Sequence, residues 1–90
     1  MALHHIGEFH TWIARESPSR AAQSVARTFV AEIGDVPWRA PSVPIAELSN
    51  QPEYEVRSAM LPVTGEPDVQ VWYLHDYATG DVDLIAVTNR

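Results

Sequence analysis

The apolar positions in the first third of the chain follow a helical period. They recur three or four residues apart, first at Ile6, Phe9, Trp12 and Ile13, and then in a longer stripe at Ala22, Val25, Ala26, Phe29, Val30 and Ile33. Residues at this spacing lie on one face of an α-helix. The pattern therefore predicts helices over 4–15 and 18–33.

Three residues indicate where the second helix begins and ends. Ser17 belongs to the residue types that cap a helix N-terminus, and Pro18 suits the first helical position because its missing N–H would be unpaired there. Gly34 suits the left-handed position just after a helix. We expect a tight turn between the helices and hence an antiparallel helical hairpin.

The middle of the chain, residues 35–53, is rich in proline. A long regular element does not survive this density of residues that lack a backbone N–H and fix φ, at Pro37, Pro41, Pro44 and Pro52. We interpret it as a long connection. Connections of this length more often carry a function than short ones do.

The pattern changes to strands in the second half. β-Branched and aromatic residues dominate three segments separated by short turns, at 54–63, 68–76 and 82–88. Short breaks imply an antiparallel meander, and the second segment is apolar on both faces, so it should be the central strand. The predicted fold is α+β. It is a single domain over 1–90, with the helical hairpin on one face of a three-stranded antiparallel sheet.

Charge is distributed unevenly along the 90 residues. The chain has six arginines, no lysine and twelve acidic residues, and the whole net charge of −6 comes from residues 35–90. A negative surface repels phosphate backbones and attracts basic segments, so we expect no direct binding to free nucleic acid. The alternative interpretation is that the acids only keep a small domain soluble.

The residue types that hold cofactors are missing or badly spaced. The chain has no cysteine, and its four glycines are isolated from one another. His4, His5 and His10 do not share the i, i+4 face that a helical metal site needs. We therefore expect neither a metal nor another cofactor.

The sequence also bears on the compartment. No apolar run reaches the roughly 18 residues of a membrane-spanning helix. The first residues, MALHHIGEFH, lack the basic and apolar parts of a signal peptide. We expect a cytoplasmic protein without membrane contact.

The order of the predicted elements resembles the RelE/ParE superfamily of small bacterial toxins. Three stretches of the second half carry the similarity: YEVRSA at 54–59, with a Glu-x-Arg element, VQVWYLHD at 69–76, and VDLIAV at 82–87. Phe9, Trp12 and residues 20–33 stand where that family has its helical hairpin. The resemblance covers most of the chain and rests on order and spacing.

Three features differ from the family pattern. The family opens with a strand, which here only residues 2–6 could supply, with Gly7 as the break; the sheet would then have four strands. Its ribonuclease members are strongly basic, whereas this chain is acidic. They also carry a basic or aromatic cluster near the C-terminus, where this chain ends Thr88-Asn89-Arg90. These differences put RNA cleavage in doubt more than the fold, and they therefore favour the gyrase-inhibiting, ParE-like branch of the family.

The resemblance implies a toxin-like component of a bacterial type II toxin–antitoxin system that acts through protein binding. Its partner would be an antitoxin protein, its target gyrase or the ribosome, and its assembly a homodimer. Two alternatives stay open. One is a non-toxic protein-interaction module on the same fold, and the other is a ribosome-dependent mRNA ribonuclease.

Metal-free RNA cleavage needs a base, an acid and a cation on the phosphate. Arg57, in the first predicted strand, is the best candidate for the cation, with a cross-strand ion pair or a solvated side chain as the alternatives. His75 ends the central strand next to Asp76 and is a candidate acid or base, although a histidine at a strand end is more often simply exposed. Glu47 lies in the loop, where a solvated charge is the simpler interpretation.

The predicted partner-binding set is Trp38, Arg57, Tyr73 and Arg90. An exposed Trp38 would be an anchor for a partner chain, whereas a buried one would belong to the core.

Overall fold

The computed structural model describes residues 3–4, 7–39, 41–46 and 53–89. The helices are α1 (Gly7–Glu16) and α2 (Arg20–Asp35), and the strands are β1 (Leu3–His4), β2 (Val43–Pro44), β3 (Tyr54–Val63), β4 (Glu66–Asp76) and β5 (Val82–Asn89). The predicted α+β class, with two helices before an antiparallel sheet, is confirmed. No helix in these ranges has both the length and the apolar content needed to cross a bilayer.

The sheet has the strand order β1-β5-β4-β3-β2. The four strands β2 to β5 pair with one another in antiparallel fashion, and β4 is central as predicted. The predicted count of three strands is exceeded because short strands of two residues, β1 and β2, add to the two edges. The first of them runs parallel to β5, pairing Leu3 with Val82.

Both helices lie on one face of this sheet. α1 packs mainly against β5, and α2 against β3 and β4. Trp12 of α1 is fully buried, and its indole Nε1–H donates to the side-chain oxygen of Asn89 at 3.0 Å. The Arg27 guanidinium of α2 lies 5.5 Å from the ring centroid of Phe9 in α1. Phe9 and Arg27 are equally far from Pro18 along the chain. Their contact therefore shows that the chain reverses direction between α1 and α2, as in a helical hairpin.

The start of α2 corrects the predicted cap. Ser17 is not the N-cap: it has φ 45°, in the left-handed region, and its N–H donates to the Ile13 carbonyl at 3.1 Å. It therefore ends α1. Ser19 is the N-cap, because its side-chain oxygen accepts a hydrogen bond from the Ala22 N–H at 3.1 Å.

Two other predicted helix ends are also wrong. α1 begins at Gly7 rather than at residue 4, because Leu3 and His4 pair with β5 instead. α2 continues through Gly34, and the N–H of the C-cap residue Val36 donates to the Glu32 carbonyl at 2.8 Å. Gly34 is thus an ordinary helical residue.

Side chains from the end of α1 block the open edge of β5. The Arg15 guanidinium donates to the Val87 carbonyl at 3.4 Å, and the Asn89 N–H donates to the Glu16 carboxylate at 3.2 Å. Exposed edges invite pairing with other chains, and side chains that occupy their backbone groups prevent it.

Replacing the two serines of the helix junction tests the cap assignment. Ser19→Ala removes the N-cap bond and the bond from the Ser19 hydroxyl to Glu66 at 2.6 Å. We expect it to lower the free energy of unfolding by about 1–2 kcal/mol in urea titrations. The matched variant Ser17→Ala should change that free energy by less than about 0.5 kcal/mol. The reverse order of the two effects would contradict the assignment.

Candidate functional site

Polar residues occupy one end of the sheet face that the helices cover. On β3, Ala59, Leu61 and Val63 belong to the core, so the alternation of the strand directs Glu55 and Arg57 to the same face. On β4, Tyr73 and His75 continue that face beyond Val69 and Val71. The register pairs the polar residues directly, Arg57 with Tyr73 and Glu55 with His75.

The residues after α2, 36–39 and 41–42, cover this end of the sheet. They are held there by Arg57, which is only 9% exposed. The guanidinium Nε–H donates to the Ser42 side-chain oxygen and an Nη2–H to the Ser42 carbonyl, both at 3.0 Å. An Nη1–H donates to the Glu55 carboxylate at 2.6 Å. Each of the three guanidinium nitrogens therefore has an acceptor within the chain.

Tyr73 adds a second attachment for the same segment. Its side chain is fully buried, its ring contacts Phe29 at a centroid distance of 6.2 Å, and its hydroxyl donates to the Pro37 carbonyl. Burial raises the pKa of Tyr73, although Ser42 and Arg57 oppose the shift. The phenol therefore stays protonated near neutral pH and keeps donating.

Glu55 is ionised next to this attachment. Burial alone would raise the pKa of its carboxyl group, but hydrogen bonds with Arg57 and Tyr77 and the charges of Arg57 and His75 outweigh that effect and lower it. Burial, and then the hydrogen bond with this carboxylate and its charge, raise the pKa of the Tyr77 hydroxyl, so that hydroxyl stays a donor.

His75 lies between two aromatic rings. Its ring centroid is 6.3 Å from that of Trp38 and 4.4 Å from that of Tyr77. Burial lowers the pKa of His75, and the charge of Arg57 adds to that effect while the carboxylates of Glu55 and Asp76 oppose it. His75 is only 5% exposed, and the lowered pKa keeps its imidazole neutral near pH 7.

The two rings that flank His75 face solvent. Trp38 is 59% exposed and Tyr77 is 54% exposed, whereas most large apolar side chains of the described residues are buried. We call Trp38, His75 and Tyr77 together the aromatic surface. Its position is set by the attachments beneath it, since Trp38 directly follows Pro37 and precedes Arg39, which pairs with Glu32 at 2.5 Å.

The structure brings together four of the residues predicted from the sequence. Trp38 is exposed, as a partner anchor must be, and Arg57, Tyr73 and His75 are buried beside it. Arg57 pairs with Glu55 on its own strand rather than across strands. Glu47 and Arg90 lie outside the described residues, as does His5.

Three members of the site were missed by the sequence analysis. Glu55 lies two residues before Arg57 on β3, and Tyr77 lies two residues after His75, just beyond the end of β4. Strand alternation places such residues on the same face, so it could have found both. Ser42 gave no local signal, because its role depends on where the segment folds back.

The described residues contain no group of three histidine, cysteine, aspartate or glutamate side chains placed to hold a metal ion. The cluster instead offers an exposed aromatic surface over a neutral imidazole, with a paired carboxylate and guanidinium below. Comparison with family models, curated proteins and solved structures finds no match for this chain.

The buried imidazole predicts how stability depends on pH. Because burial holds the pKa of His75 below its ordinary value of about 6.5, the unfolded chain binds a proton more readily than the folded one. Stability should be full above about pH 6.5 and fall as the pH is lowered towards 5. Below the ordinary pKa of the Glu55 carboxyl group, 4.5, protonation of that group should add a second loss.

Urea unfolding of the wild type and of His75→Gln at pH 7.5, 6.5 and 5.5 tests this expectation. The free energy of unfolding should fall with pH in the wild type and more weakly in the variant, which cannot take up the proton. Equal slopes in the two proteins would contradict the assignment.

Proposed function

We propose that this chain acts by binding a protein, as the toxin-like component of a type II toxin–antitoxin pair on the ParE-like side of the RelE/ParE superfamily. The observation that carries the proposal is the exposed Trp38 on the aromatic surface. Large aromatic side chains that desolvate at a contact are the residues that most often dominate binding energy.

The burial and hydrogen bonding of Arg57 favour protein binding over RNA cleavage as the function. A cation that stabilises a transition-state phosphate must have donors free to reach it. Three of the five guanidinium N–H groups of Arg57 donate to Ser42 or Glu55, and burial keeps the side chain away from a substrate phosphate. Tyr73 is likewise engaged with Pro37 and inaccessible. These residues support the surface from below, and Trp38 and Tyr77 are the groups that a partner can touch.

The charge of the chain is consistent with a protein partner of opposite sign. The net charge of −6 disfavours unaided approach to RNA or DNA, whereas it attracts a basic polypeptide segment. The blocked edge of β5 argues further that contact is made through side chains here, rather than by adding a strand at that edge.

Induced expression in a bacterial host, with no antitoxin supplied, tests the toxin assignment. We expect growth arrest with the wild type, and inhibition of gyrase supercoiling by the purified chain. Trp38→Ala should retain the fold, because the side chain is largely exposed, and should weaken target binding at least about tenfold.

Ile85→Ala is the matched control. It removes another exposed apolar side chain, 44% exposed on β5, and should arrest growth as the wild type does. Normal growth together with soluble, folded wild-type protein would contradict the toxin assignment and favour the non-toxic interaction module. Cleavage of mRNA on translating ribosomes would favour the ribonuclease.

A further inference from the structure

We infer that the chain forms a homodimer through the face of its sheet opposite the helices, with the same face of a second copy packed on it. We call this the open face. The inference goes beyond the proposed function and does not rest on it, because His75 and the aromatic surface belong to the helix side of the sheet.

Strand alternation identifies the side chains of the open face. The core beneath the helices takes Ala59 and Leu61 from β3 and Val69 and Val71 from β4, so the residues between them point the other way. The register then places three pairs side by side on the open face: Val56 with Leu74, Met60 with Gln70, and Trp72 with Ala86.

The open face is more apolar than a solvated sheet face. An antiparallel sheet with one face in water normally alternates apolar and polar side chains along each strand. Here Met60, Trp72 and Leu74 are only half-buried, and Val43, opposite Ser58 at the edge, is 55% exposed. A continuous apolar patch of this kind marks a contact surface.

The charges of the open face lie at its ends. Asp68 and Asp76 stand near the two ends of β4, and Asp83 stands near the beginning of β5. The middle of the face, from Gln70 to Leu74 on β4, carries no formal charge, although the chain as a whole has a net charge of −6. Two copies can therefore meet with their acids at the rim, where water and salt screen the repulsion.

The dimensions of the open face suit a second sheet. The long strands β3, β4 and β5 have 10, 11 and 8 residues. At about 3.3 Å per residue and about 4.8 Å between strands, they form a surface of roughly 15 by 30 Å, which the short edge strands widen. A single partner helix, about 10 Å wide, would cover only part of it. A second sheet with the same right-handed twist covers all of it.

The area predicts a weak dimer. Two such faces would bury a total of about 900–1,200 Å², near the lower limit of about 1,000 Å² for a specific interface. Pairing by strand addition is disfavoured, because Arg15 and Glu16 occupy backbone groups of β5 and Pro62 of β3 has no N–H to donate. The contact is therefore face to face.

Sedimentation equilibrium of the 10.0 kDa chain tests the inference. Between about 5 and about 500 µM we expect the mass to rise towards twice that of the monomer, with a dissociation constant of about 10–100 µM. Gln70→Glu keeps the shape of the side chain and brings two like charges into the middle of the interface, so it should weaken the dimer at least about tenfold. The matched variant Ala31→Glu adds the same charge at an exposed position of α2 and should change the dissociation constant less than about twofold.

Indole N–H signals of the wild type give a second measurement that needs no variant to fold. The Trp72 signal should shift with concentration over the same range, whereas that of Trp12, buried beneath the helices, should not. A monomer at about 500 µM would overturn the inference and leave the open face to a different partner. A dimer that Ala31→Glu dissociates and Gln70→Glu does not, or a Trp72 signal independent of concentration, would overturn it equally.

Discussion

Two hydrogen bonds from the Arg57 guanidinium to Ser42 hold the chain after α2 onto the end of the sheet, and a third bond, to Glu55, fixes the guanidinium on β3. Because Ser42 follows the turn that carries Trp38, the bonds to Ser42 fix the chain just beyond that turn. The hydroxyl of Tyr73 donates a hydrogen bond to the same turn, at the Pro37 carbonyl. Proline lacks a backbone N–H, so regular strand or helix pairing contributes little to holding these residues, and side-chain hydrogen bonds take that role. The aromatic surface therefore depends on a polar cluster that is itself hidden from solvent.

The Arg57–Glu55 pair is better understood as a positioning device than as a source of stability. Removing two charges from water costs about as much as their attraction returns, so buried ion pairs contribute little net stability. Leaving one of them unpaired is costly, however, and that cost makes the bonded arrangement specific. The pair also sets the charge around His75, which remains a neutral ring between two exposed aromatic side chains.

Strand alternation was the most reliable guide in the sequence. It predicted the three long strands, the central position of β4 and the shared face of Val69, Val71 and Tyr73. The helix junction was mispredicted because Ser17 and Ser19 are equally good cap types, and only the positive φ of Ser17 decides between them. β1 and β2 have two residues each, which is too short for an alternating hydrophobic pattern to be recognised in the sequence. The bond between Ser42 and Arg57 joins distant parts of the chain, which no local pattern encodes.

Amide hydrogen exchange at Arg39 and Ser42 is the most direct test of the claim that Arg57 holds this part of the chain on the sheet. The N–H groups of Arg39 and Ser42 close backbone hydrogen bonds within this segment, each at 3.0 Å. In Arg57→Leu their exchange should accelerate at least about tenfold, or about 1.4 kcal/mol, relative to the core amides of β4. Arg39→Leu removes only the exposed pair with Glu32 and should leave both rates unchanged. Unaltered protection of both amides in folded Arg57→Leu would contradict the account.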